Sequence, residues 1–216
     1  KPSLSLSIPR VERYGQYRQQ IYVPRGGRFA TLINAGRGNF GGELVLEGND
    51  LPAGLTMLCD NMPANMSTMP VVFEAAADAP LSGKLLNFTA RHAENEAIRG
   101  GFGNTADYII GSPGQSRYRW KSVKQLAIAV VDELPFKIDI VVPKVPIVRD
   151  GSMQLKIVAT KKEGWDEGIS VQLPFRPPGL GAASSVNIAK GKTEVNYPLS
   201  ANGGAQIKLW KVFALG

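Results

Sequence analysis

"FGGELVLEGNDLPAGL" (40–55) and "WDEGISVQLPFRPPGL" (165–180) lie 125 residues apart in a chain of 216. Each opens on an aromatic residue, crosses a short run of alternating apolar positions and ends on Pro-x-Gly-Leu. Alternation at period two marks a half-buried strand, with Leu44 and Leu46, or Ile169 and Val171, on one face. Pro-Ala-Gly and Pro-Pro-Gly are turn signals, because proline fixes φ and glycine accepts positive φ. A strand and a turn repeated at a fixed distance point to a duplicated β unit.

Working outward at the same offset of 125, residues 23–55 meet residues 148–180 without a gap. Five of these 33 positions are identical: Val23/Val148, Gly26/Gly151, Pro52/Pro177, Gly54/Gly179 and Leu55/Leu180. The substitutions keep physical type, with Leu32-Ile33 facing Ile157-Val158 and Phe40 facing Trp165. A second block, 73–90 against 197–214, matches at an offset of 124 and shares Ala77/Ala201, Lys84/Lys208, Leu85/Leu209 and Ala90/Ala214. On this alignment Trp210 falls opposite Leu86.

"RFATLIN" (28–34), "MQLKIVA" (153–159), "LAIAVV" (126–131) and residues 137–142 read as further strands. Residues 186–214 divide into three more, broken at Lys190-Gly191-Lys192 and Asn202-Gly203-Gly204. No segment of ten or more residues carries a clean helical period. The expected fold is all-β, two tandem immunoglobulin-like antiparallel β-sandwiches. The first spans 1–134 with a long insertion at 91–122 between its penultimate and final strands; the second spans 135–216. The boundary falls near "DELPFKIDI". The second unit stops at Gly216, where the first enters its insertion. The expectation is that its last strand is missing because the native chain continues, since an unpaired edge beside a core strand invites pairing with another chain.

Hydrophobic residues make up 44% and charged residues 20%, an ordinary globular balance rather than a disordered one. No apolar run approaches the roughly 18–20 residues of a membrane helix, so no membrane span is expected. A net charge of +7 raises the question of nucleic acid. The basic residues are spread from Arg10 to Lys211, however, which reads as solvated charge with no nucleic-acid partner. The chain opens at Lys1 without a signal-like apolar region, the start of a processed product or an excised fragment. Cys59 is the single cysteine, so there is no intrachain disulfide or cysteine zinc site. It reads as a small buried hydrophobe.

His92 is the single imidazole, and any Ser-His or Cys-His chemistry must use it. An enzyme built on it requires a pocket holding a nucleophile or carboxylate; the plain reading is a surface histidine at a strand end. Glu94, Glu96 and Asp107 in the insertion are the carboxylates that glycoside hydrolysis could draw on, against a solvated acidic loop. "EGNDLP" (47–52) and "CDNMPAN" (59–65) offer oxygen ligands without the regular spacing of a calcium loop. "NAGRGNFGGE" (34–43) joins two strands with no helix following, so it reads as a hairpin connection rather than a phosphate cradle. No motif calls for a cofactor or a metal. Two sequons, at Asn65 and Asn87, accept glycan only in a eukaryotic secretory route.

Arg117, Tyr118, Arg119, Trp120 and Lys121 are the candidate ligand-binding residues. Alternating aromatic and cationic side chains on a loop can stack on sugars or bases and pair with acidic groups. The same pattern also fits an ingoing strand whose Tyr118 and Trp120 face the core.

The C-terminal 80 residues, with "VPKVPIVRDGSMQLKI", "GISVQLPFRPPGL" and "LSANGGAQIKLWKVFA", resemble the immunoglobulin-like repeats of large secreted planctomycete-type proteins carrying pre-peptidase C-terminal domains. Residues 1–134 resemble them more loosely, and the insertion departs from the compact repeat. The resemblance implies an exported protein, secreted or at the cell surface or periplasm, and a non-catalytic module. It carries over no catalytic residue. The expected partners are flanking domains of the same polypeptide, together with a polysaccharide or another protein. The leading expectation is a structural or interaction module. The alternative is a carbohydrate-binding module using residues 117–121.

Overall fold

The computed structural model describes residues 1–11, 16, 18–111 and 117–216. Among these there are seventeen strands and no helix, so the all-β reading of the periodicity holds. The chain divides into two compact units, Lys1–Glu133 and Leu134–Gly216.

In the first unit the strands are β1 (Ser3–Ser7), β2 (Ile21–Pro24), β3 (Arg28–Gly38), β4 (Leu44–Asn49), β5 (Leu55–Leu58), β6 (Thr68–Ala75), β7 (Ser82–His92), β8 (Arg99–Phe102), β9 (Asn104–Ile110), β10 (Arg117–Val123) and β11 (Leu126–Val131). One half runs β1-β3-β6-β5, all antiparallel. The other runs β4-β7-β11-β2, antiparallel except for the parallel pairing of β11 with β2. β8 pairs with both β7 and β1 and so links the halves. Alternate residues turn inward, and Ile33, Val71 and Phe73 of one half and Leu44, Leu86 and Phe88 of the other are removed from solvent.

The second unit holds β12 (Phe136–Ile140), β13 (Ser152–Lys161), β14 (Ile169–Val171), β15 (Leu180–Ala182), β16 (Val186–Ile188) and β17 (Glu194–Ala201). The sheet β12-β13-β17-β15 faces the pair β14-β16. Leu155 and Ile157 of β13, Tyr197 of β17, Ile169 and Val171 of β14, and Ile188 of β16 form one core between them. The Tyr197 hydroxyl, at the edge of that core, donates to the carbonyl of Ala183 at 2.8 Å, which satisfies the one polar atom the ring carries inward. Both units are immunoglobulin-like sandwiches.

The repeat is real in detail, but its residue correspondence shifts along the chain. In the first unit the Gly27 N–H donates to Pro24 O (3.0 Å) and the Ala75 N–H to Gly27 O (3.1 Å). In the second, the Gly151 N–H donates to Val148 O (3.1 Å) and the Ala201 N–H to Gly151 O (2.9 Å). Gly27 therefore matches Gly151, 124 residues on. Gly26 and Asp150 share positive φ beside them, at 59° and 55°. β4 and β14 match at 125, with Leu44 and Leu46 in the buried places of Ile169 and Val171. Leu44 bridges to Met62 and Ile169 pairs with Ile188, which sets the Met62 segment against β16 at 126, and the equivalent bonds of Ala75 and Ala201 set β6 against β17 at the same offset.

Several expectations are corrected by these registers. Ile33 answers to Ile157, not Leu32, because a one-residue slip would turn every side chain to the opposite face. The Val23/Val148 and Gly26/Gly151 identities belong to no equivalent places. The block matched at 124 is instead displaced by 126, so Trp210 stands opposite Lys84 rather than Leu86. Residues 206–213 do not form the third strand expected there; Leu215 alone bridges, to Gln172. Residues 34–43 are not a hairpin either. β3 and β4 belong to different halves and do not pair, so this segment crosses between layers. Phe40 and Trp165 do correspond: each follows a residue of positive φ, Asn39 at 58° and Gly164 at 79°, and each precedes its strand by four residues.

Candidate functional site

The insertion contributes β8 to the sandwich and then leaves it. β9 and β10 form a separate two-stranded antiparallel ribbon, with register shifts between Arg117 and Trp120. A bulged register adds local twist and re-aims side chains. The ribbon is held at its base by Arg10, whose guanidinium pairs with Asp107 at 2.5 Å and bonds the hydroxyl and carbonyl oxygens of Thr105. The Asp107 carboxylate is fully buried by this contact, and burial of a charge is tolerated because the partner is in place. Asn104 donates to Gln19 on the same side.

Tyr118, Arg119, Trp120 and Lys121 all lie on the exposed part of β10. Tyr118 and Trp120 are more than half exposed and do not face a core, which removes the ingoing-strand reading. Arg117 pairs with Ile110 in the ribbon backbone; its side chain lies outside the described residues. Tyr108 on β9 adds a third exposed ring that the sequence did not single out. Its signal was weak, a lone Tyr in "ADYII" with the alternation of any strand. Tyr118 is seated against Gly111, where a Cβ would overlap the ring. The ribbon thus presents three aromatic faces beside Arg119 and Lys121. Such an arrangement can stack on planar or sugar rings and pair with acidic groups.

His92, at the end of β7, is half-buried rather than a free surface histidine. Its Nδ1 accepts the N–H groups of Glu94 (3.0 Å) and Asn95 (3.1 Å), which places the ring proton on Nε2, 3.1 Å from Gly41 O. The ring also meets the edge of Phe40 at 6.1 Å. Both ring nitrogens are occupied by backbone, so the imidazole fastens a turn and has neither nitrogen left to move a proton. Glu96 pairs with Arg91 and Arg99 in the turn before β8, while Asp107 lies in the ribbon with Arg10. Among the described residues no group of three or more His, Cys, Asp or Glu could hold a metal ion, which leaves the 47–52 and 59–65 loops without a built cation site. Cys59 is half-buried just past β5.

No family model matches the chain, and no curated protein matches it. Among solved structures, the D00-D0 domain of intimin overlaps 98% of the chain and 96% of its own length at 13% identity and a TM-score of 0.32. Surface layer protein SbsC, domains 1–6, overlaps the whole chain and 26% of its own length, at 13% identity and a TM-score of 0.34. The fibronectin(III)-like modules of Clostridium thermocellum CbhA cover 88% of the chain and 77% of their own length at 10% identity and a TM-score of 0.25. At TM-scores this low the overlaps carry no argument; the fold rests on the strand pairing above.

Proposed function

We propose that the chain is a non-catalytic structural or interaction module of an exported multidomain bacterial protein, built from tandem domains at 1–134 and 135–216. The observation that carries this reading is what the two units share. They repeat a frame of turns and buried aliphatic residues, while among the described residues no constellation of reactive side chains recurs. His92, which any imidazole chemistry would need, is committed to backbone. The C-terminal resemblance to repeats of secreted planctomycete-type proteins with pre-peptidase C-terminal domains supports export and flanking domains as partners.

A second reading is favoured by the ribbon, where Tyr108, Tyr118 and Trp120 stand exposed next to Arg119 and Lys121. On it, the first unit binds polysaccharide through β9–β10. Affinity electrophoresis of the chain in gels carrying neutral or acidic polysaccharide separates the two readings. The structural module migrates unretarded in every gel. Retardation that Trp120→Ala abolishes would replace it with the carbohydrate-binding reading.

A further inference from the structure

The ladder between β9 and β10 is regular from Asn104↔Val123 to Asp107↔Trp120 and then slips twice, in opposite senses. Tyr108 is the extra residue of β9 between Asp107↔Trp120 and Ile109↔Arg119. Tyr118 is the extra residue of β10 between Ile109↔Arg119 and Ile110↔Arg117. The two slips cancel, so the register is regained and what changes is where two tyrosines point. A two-stranded ribbon apart from a larger sheet is marginal in water, and each bulge interrupts its ladder. Both interruptions fall on rings that are 68% and 66% exposed, with Trp120 beside them 51% exposed. The ribbon gives up pairing where it presents aromatic surface.

Its charge is one-sided as well. Residues 104–124 hold one carboxylate, Asp107, and four cations, Arg117, Arg119, Lys121 and Lys124. Asp107 is fully buried and paired with Arg10. Arg119, Lys121 and Lys124 are exposed, and none enters an ion pair among the described residues.

We infer that the ribbon's ligand is an acidic polysaccharide, a chain whose sugar rings carry anionic groups. This rests on the second reading above, that β9–β10 binds polysaccharide, and narrows the class. The aromatic rings take the apolar faces of successive sugars, and Arg119 and Lys121 take the anionic groups at their rims. These two cations are two positions apart on β10, about 7 Å along the strand, a spacing on the scale of one sugar unit. An acidic peptide pairs with the cations but offers the rings no flat sugar-like face. A single strand of nucleic acid needs a basic groove that tracks its backbone. Here the cations are confined to β10 and its end, and the one charged residue of β9 is the paired Asp107.

The test is isothermal titration of the 216-residue chain with an oligogalacturonate and with the same oligomer fully methyl-esterified, which keeps the sugar rings and removes the charge. The free acid is expected to bind about tenfold or more tightly than the ester, and Arg119→Gln/Lys121→Gln to weaken it by a similar factor. Both side chains are exposed, so the double variant's melting curve is expected to stay unchanged. Equal binding of acid and ester, lost in Trp120→Ala, overturns the inference and leaves the polysaccharide reading standing. Binding of the acid that is indifferent to the double variant overturns it too. Binding of neither oligomer overturns the inference, and the polysaccharide reading then stands or falls by the electrophoresis above. Polyglutamate or oligothymidylate bound as tightly as the free acid also overturns it, because a peptide or a nucleic acid then fits the surface as well.

Discussion

Gly179 is pressed against Ala205: a Cβ on the glycine would come within 2.5 Å of the alanine Cα. The same relation recurs in the first unit, where a Cβ on Gly54 would fall 2.6 Å from the Cβ of Ala79. Both glycines have positive φ, 77° and 85°, and both close a turn in which the following leucine N–H returns to a proline carbonyl, Leu55 to Pro52 and Leu180 to Pro177. Only glycine meets both demands, which is why Pro-x-Gly-Leu is the most legible fragment of the repeat. Gly54→Ala and Gly179→Ala are each expected to destabilise their unit by about 2–4 kcal/mol, from left-handed strain plus overlap. Urea unfolding followed by tryptophan fluorescence and circular dichroism measures it; a loss below the error of the fit at either site contradicts the equivalence.

Arg37 on β3 is the fastener of the Met62–Met66 turn. Its guanidinium donates to the carbonyls of Met66 (2.7 Å), Pro63 (3.1 Å) and Met62 (3.3 Å), and burial lowers its pKa from the usual value. Arg37→Met removes these charged donors; the Met62 carbonyl keeps the Leu44 N–H (2.9 Å) and the Pro63 carbonyl keeps the Met66 N–H (3.1 Å), while the Met66 carbonyl loses its 2.7 Å charged donor. The expected cost is about 2–3 kcal/mol in chemical denaturation. An unchanged midpoint would show that the turn holds itself.

Asp166 fastens the corresponding region of the second unit, accepting from Lys161 Nζ at 2.9 Å and from the Gly191 N–H at 3.0 Å. The Lys161 bond, then the Gly191 amide, holds its carboxyl below the ordinary carboxylate value. A depressed folded-state pKa contributes stability that is present above the unfolded value and lost as pH falls through the folded one. Melting temperature is therefore expected to drop on acidification below the usual carboxylate range, with Asp166→Asn flattening part of that drop. Identical acid limbs in both proteins would remove Asp166 from the account.

His92→Ala deletes the acceptor for Glu94 and Asn95 N–H and uncovers Phe40. About 1–2 kcal/mol of stability is expected to go with it, from three lost bonds to backbone, including that to Gly41 O, at a half-exposed site. His92→Gln, which cannot place an acceptor and a donor at the same two points, is not expected to restore it. Full stability in His92→Ala would return the imidazole to the list of residues held for another purpose.

The strands and the duplication were readable because period-two alternation survives substitution, as Leu44/Leu46 and Ile169/Val171 show. The residue-by-residue match was less readable. The second unit gains one residue between β13 and β14 and another between β15 and β16, so the offset climbs from 124 to 126. The three identities at Pro52, Gly54 and Leu55 are true and sit in the middle of that climb; the outer ones are coincidences drawn in by a single offset. The ribbon was hidden for a different reason. "RYRWKS" alternates as a core strand does, and only the failure of β9 and β10 to join either half decides that Tyr118 and Trp120 face water. Residues 206–213 alternate apolar side chains too, yet a strand needs a neighbour, and no sequence pattern reports whether one is present.

The duplication of one sandwich is tested most directly by cross-strand backbone contacts at Leu44–Met62 and Ile169–Ile188, observed as nuclear Overhauser effects in the isotopically labelled chain. The two units being copies of one frame, both pairs are expected to give contacts, together with Gln172–Leu215 where Glu47 meets Thr89. Contacts at the first pair with none at the second, or Ile169 found opposite a residue one place away from Ile188, would contradict it.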